Sequence, residues 1–142
     1  MISRLLRTTV LGIGLAVLVA SCATTKSEVD VTPTARVTVD AHVGKDPSPD
    51  GTKIGNISSE FGTTETVYAV VDVPGRLEGK TLRVRWLRGD QQVSEQSVPL
   101  TSEVHAYPFQ LVPATSGHTT GEYVLEVFVN DDRVETEHFK IQ

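Results

Sequence analysis

The chain predicts an all-β fold, an antiparallel β-sandwich of about seven strands. Three observations carry that reading. Apolar residues recur with period two in run after run. Polar, Gly-, Pro- and Asp-rich joints separate the runs at spacings of about ten residues. Nowhere after residue 36 does an apolar run of helical period last longer than a turn or two.

In chain order, RVTVDAHV (36–43) sets Val37, Val39, Ala41 and Val43 on one face. GKDPSPDGTKIGN (44–56) reads as a long loop, and SSEF (58–61) as at most one helical turn. TVYAVVDV (66–73) aligns Val67, Ala69, Val71 and Val73; Tyr68 takes the outer parity. TLRVRWLR (81–88) puts Leu82, Val84 and Trp86 inside and Arg83 and Arg85 outside. VSEQSVPL (93–100) and VHAYPFQLV (104–112) are weaker strands, and Pro99 and Pro108 mark them as edges, ends or bulges. EYVLEVFV (122–129) sets Tyr123, Leu125, Val127 and Val129 against Glu122, Glu126 and Phe128. The chain closes on RVETEHFKI (133–141), where Phe139 and Ile141 share a face. RGDQQ (88–92) and NDDR (130–133) are polar turns that predict two hairpins.

The pattern of residues 61–142 resembles immunoglobulin-like and fibronectin-like bacterial modules. In those a Gly-x-Tyr, here Gly121-Glu122-Tyr123, opens the penultimate strand; a polar turn follows, and an aromatic-x-aliphatic pair, here Phe139 and Ile141, ends the last. The lone Trp86 sits mid-strand, as the core tryptophan of such sandwiches does. The cysteine pair of antibody domains is absent, and the resemblance speaks to fold, not function.

The N-terminus has a different character. Arg4 and Arg7 precede an uncharged run, Val10 to Ala20, that ends in small residues. A basic start, a short apolar run and small residues make a secretory signal peptide. A bilayer core needs roughly 20 apolar residues as a helix, so the run is too short to span comfortably. Val19-Ala20-Ser21-Cys22 then resembles the lipobox of bacterial lipoproteins. That resemblance implies diacylglycerol on the Cys22 thiol, cleavage before it and acylation of its amine. It also supplies a use for the only cysteine, which has no disulfide partner. Two or three acyl chains anchor firmly where one does not, at about 0.8 kcal/mol per buried CH₂. Ala23 follows in place of the aspartate that holds enteric lipoproteins in the inner membrane, so the resemblance implies the outer membrane.

The expected organisation is therefore a signal peptide (1–21), a lipidated cysteine and flexible polar tether (22–35) and one sandwich domain (36–142). The tether's greatest reach is roughly 40 Å. Removing the two leader arginines takes the formal charge from −5 to −7, which argues against nucleic acid as a partner.

The chemistry-bearing residues are scattered. His42, His105, His118 and His138 have no second histidine or cysteine at metal-ligand spacing. DPSPDG (46–51) and NDD (130–132) offer loop oxygens without calcium-loop spacing. There is no nucleophile elbow and no phosphate-cradling glycine loop. No metal, no cofactor and no catalytic activity are expected. Arg83, Arg85 and Arg88 are the one concentrated basic feature. They are the candidate surface for an acidic protein or polysaccharide partner of the envelope. Their alternative role is an outer face paired to Glu122 and Glu126 on a neighbouring strand. The functional expectation is a non-catalytic binding or accessory lipoprotein on the periplasmic face of the outer membrane. A small ligand-binding or inhibitor lipoprotein of the periplasm is the alternative.

Overall fold

A computed structural model describes residues 37–142. The leader, Cys22 and the tether lie outside the described residues.

Among the described residues nine strands form two facing sheets: β1 (Asp40–Pro47), β2 (Ile54–Ile57), β3 (Glu60–Phe61), β4 (Val67–Asp72), β5 (Thr81–Arg88), β6 (Gln91–Pro99), β7 (Ala106–Leu111), β8 (Gly121–Val129) and β9 (Asp132–Ile141). One 3-10 turn, Gly75–Leu77, links β4 to β5. The four-stranded sheet runs β2-β1-β4-β7 and the five-stranded sheet β3-β9-β8-β5-β6. A β1-β4-β7 layer facing β9-β8-β5 is the immunoglobulin-like arrangement.

The structure corrects the strand reading in three places. Ile54–Ile57 pairs with β1 inside the segment read as a loop. Glu60–Phe61 forms no helical turn but a two-residue strand. It lies parallel to the end of β9, so the sandwich is not antiparallel throughout. Such short pieces carry no alternation of their own; pairing to a neighbour makes them strands. At Gly44 only a glycine fits the β1–β2 crossing, because a Cβ there would lie 2.2 Å from the Asn56 carbonyl oxygen.

Period two decides the interior. The inward residues of β4, β5 and β8, from Val67 and Ala69 through Leu82 and Trp86 to Leu125 and Val127, are fully buried. Phe139 is the hub of an aromatic cluster. It meets Trp86 and Phe61 edge-on at 5.9 and 5.5 Å and stacks on Tyr123 at 5.4 Å. Such geometries suit the ring quadrupoles and add about 0.5–1.5 kcal/mol per pair beyond burial. The Trp86 indole N–H has no hydrogen-bond partner among the described residues. Tyr123 Oη donates to the Thr119 carbonyl at 2.7 Å, the tyrosine corner of immunoglobulin-like sandwiches. Tyr107 Oη accepts from the Thr101 backbone N–H at 2.9 Å and pins the chain leaving β6.

Both predicted hairpins form, β5–β6 across Gly89 and β8–β9 across Asn130. Gly89 and Asn130 each adopt a left-handed backbone (φ 55°), which glycine and asparagine tolerate best. The Asn130 side chain also accepts from the Thr81 N–H at 3.0 Å, tying this hairpin to the start of β5.

Candidate functional site

The outer face of the five-stranded sheet carries the predicted arginines. Alternation turns Arg83 and Arg85 of β5 outward, and register sets them opposite Phe128 and Glu126 of β8. Phe128 in turn lies opposite Arg133 of β9. Arg85 donates from Nε and Nη2 to Glu126 Oε2, at 2.9 and 2.5 Å. Arg133 Nη1 donates to Glu126 Oε1 at 2.6 Å. The Arg83 and Arg85 guanidinium groups lie 4.4 and 5.0 Å from the Phe128 ring centre, a cation–π pair on one ring. Arg83 also reaches Glu95 of β6 at 3.4 Å.

These contacts explain why two outward residues are nearly buried, Glu126 at 6% and Phe128 at 7% exposure. The long arginine stems and their planar heads roof them over. Burial pushes the Glu126 carboxyl up, but hydrogen bonds from Arg85 and Arg133 outweigh it and hold the group below the usual carboxylate range.

Arg85 is thus committed to an internal ion pair, and Arg83 to a ring and a carboxylate. Arg88, at the end of β5, donates to Gln91 at 2.9 Å across the hairpin. The three arginines do not converge on one point. The expected pairing holds for Glu126 and not for Glu122, which lies opposite Lys140. Glu126 as a shared, buried carboxylate was not legible in the sequence. Its parity marked it as outward and solvated, and only strand register places two guanidinium groups on it.

The other polar candidates have local duties. Asp50 accepts from Ser48 Oγ and from the Thr52 N–H at 3.1 Å, and these bonds hold its pKa down at about 2. The loop it shapes lies against Tyr68 and Pro108 on the outside of the four-stranded sheet, so Tyr68 is half-covered. The same hairpin helps bury Val70, at 2% exposure despite its outer parity. Glu65 accepts from Lys45 Nζ and from the Gly62 N–H. The hydrogen bond to Gly62 and the Lys45 ammonium lower its pKa. His118 bonds the Glu65 carbonyl at 3.1 Å, fastening one long loop to another. His42 lies 3.9 Å from Asp72. Among the described residues no three His, Cys, Asp or Glu side chains are grouped to hold a metal ion.

The edges of the sheets differ in a way the sequence reading missed. β2 has four residues and β3 two. β7 has Pro108 mid-strand, and the Gln96 side chain covers its edge, donating to the Gln110 carbonyl at 2.7 Å and accepting from the Gln110 N–H at 3.4 Å. The first half of β9 is unpaired on one side and carries Asp132, Arg133, Glu135 and Glu137. Glu135 and Glu137 face the interior side, opposite Val127 and Leu125. β6 alone has a long outer edge with one charged residue, Glu95.

No protein-family model matches the chain, and no curated protein matches it. Among solved structures, the soluble domain of PmoD from Methylocystis sp. ATCC 49242 (Rockwell) is 14% identical over 75% of this chain and 92% of that one, with a TM-score of 0.47. The alkylpurine DNA glycosylase AlkC of Pseudomonas fluorescens is 13% identical over 75% of this chain and 31% of that one, with a TM-score of 0.41. A β-glucosidase from Listeria innocua is 11% identical over 74% of this chain and 16% of that one, also at 0.41. These likenesses concern the shape of a sandwich and carry no activity to this chain.

Proposed function

We propose that this protein is a lipid-anchored, non-catalytic binding or accessory module of the bacterial cell envelope, held at the periplasmic face of the outer membrane through Cys22. The observation that carries the reading is Val19-Ala20-Ser21-Cys22, directly after a short uncharged run with a basic start. Polar residues 23–35 then separate the cysteine from the sandwich, so the domain has a tether on which to reach a partner. The partner is an envelope protein or polysaccharide. The fold suits this role, since strand edges and end loops of sandwiches are common binding surfaces.

Replacing Cys22 with Ser tests the anchor. The expected result is loss of palmitate labelling and an unprocessed or soluble chain. A variant that still fractionates with membranes and is still cut before residue 22 would overturn the reading.

A further inference from the structure

With the domain read as a binding module, we infer that the free edge of β6 is its docking surface, and that it takes an extended, basic segment of a partner protein as an added strand. Leu100 N–H donates to the Lys80 carbonyl at 2.8 Å, and antiparallel bonding alternates from there. Val98, Gln96 and Ser94 therefore bond β5, while Ser97 and Glu95 turn both N–H and C=O away from it. No described residue bonds those four groups. A register shift opposite Trp86 and Leu87 puts a bulge at Val93, so the regular free edge is Ser94–Pro99.

Unpaired strand edges are templates for strand addition, and proteins blunt those that must stay empty. The blunting on the other edges is of the known kinds: short length in β2 and β3, a proline and a side-chain cover on β7, inward carboxylates on β9. β6 has none of these before Pro99 apart from its bulge. Beside it lies an exposed apolar pair, Val93 at 40% and Val112 at 58%, lining one groove with Ser94, Gln96, Gln110 and Leu111. A strand laid on β6 would turn alternate side chains over that groove, which calls for apolar residues there.

Charge selects the occupant. Residues 37–142 hold nine Lys and Arg against sixteen Asp and Glu, and Glu95, within the free edge, has one part-exposed contact with Arg83, at 3.4 Å, that leaves its carboxylate able to take a second cation. A basic side chain on the incoming strand, opposite Glu95, is complementary. A second copy, which carries the same acidic surplus, is less so. Two-fold antiparallel pairing centred on Glu95 or Gln96 would put the two Glu95 carboxylates opposite or diagonal to each other, between two acidic bodies.

The probe is the synthetic peptide Val-Thr-Val-Lys-Val-Thr-Val, added to the full chain isolated in detergent. Amide hydrogen exchange at Glu95 and Ser97 is expected to slow about tenfold or more, while the charge-reversed peptide with Glu for Lys protects markedly less. Ser97→Pro removes a free-edge N–H that β5 does not use, so it should leave the melting point nearly unchanged and abolish the protection. Glu95→Lys should reverse the preference between the two peptides, which keeps the test decisive if the proline variant fails to fold. Unchanged exchange with both peptides overturns the proposal. Equal protection by both overturns the basic partner, and concentration-dependent protection without peptide assigns the edge to a second copy instead. Any of these results alongside intact palmitate labelling would remove the docking edge and leave the anchored module standing.

Discussion

Removing the Trp86 ring measures how much of the fold rests on its aromatic centre. The side chain is 0% exposed and packs edge-on against Phe139 at 5.9 Å. A ring of this size buries up to about 250 Å², an upper bound of about 6 kcal/mol at 25 cal/mol per Å². Large-to-small core changes of this type cost about 3–5 kcal/mol once the site partly relaxes. Against the roughly 5–15 kcal/mol available to a domain, that is a large share. At about 4–5 °C per kcal/mol for a domain of this size, Trp86→Ala should lower Tm by roughly 12–25 °C. Trp86→Phe isolates a second effect. The indole N–H is buried without a partner, and such a donor costs about 1–3 kcal/mol. Phenylalanine leaves a smaller cavity and removes that donor, so the two changes offset to within about 1 kcal/mol. Far-UV circular dichroism through thermal melts is the assay, because the variants lose the only tryptophan. An alanine variant melting within about 2 °C of the parent would refute the central placement of Trp86. A phenylalanine variant as damaged as the alanine one would refute the account of the orphan donor.

Three further outcomes follow from the same contacts. Arg85→Ser should cost about 1–2 kcal/mol, less than breaking a fully buried pair, because Arg133 still holds Glu126; a urea titration at pH 7 checks it, and its depressed-pKa partner means the loss should shrink as pH falls through the carboxylate range and Glu126 protonates in parent and variant alike. Burial and the neighbouring Glu135 raise the pKa of Glu137, with His42 and His138 opposing, so its charge is unfavourable in the folded state at neutral pH. The stability linked to this group is greatest where it is protonated and is lost as pH rises through its folded pKa. Glu137→Gln should therefore raise Tm at pH 7, with the gain vanishing in acid, and parallel melts at the two pH values decide it. Tyr123→Phe removes the hydrogen bond to Thr119 and should cost about 1 kcal/mol, read from the same urea titration.

A sandwich and the inward faces of most of its long strands were legible from one dimension. Alternation is a local property: Leu82, Val84 and Trp86 share a side whatever their neighbours, because successive residues of a strand point oppositely. The same holds for Tyr123, Leu125 and Val127, and both hairpin turns carry their own backbone chemistry in Gly89 and Asn130. The run Val19-Ala20-Ser21-Cys22, on which the proposed anchor rests, is local too, since it is four neighbouring residues.

Pairing is not local, and there the tertiary structure decided. Ile54–Ile57 and Glu60–Phe61 are strands only because β1 and β9 lie beside them. Arg83 and Arg85 read as a stripe for a partner or for acids on a neighbouring strand, and register across β8 and β9 makes them a roof over Phe128 and a clamp on Glu126. Gln96 and Glu95 are adjacent and look alike in sequence. The fold sends one side chain inward to cover the edge of β7 and leaves the other's backbone groups unpaired among the described residues. Alternation is set by the stereochemistry of each residue, whereas register and edge exposure are set by which strands meet after long loops close, and that depends on the energy of the whole sandwich.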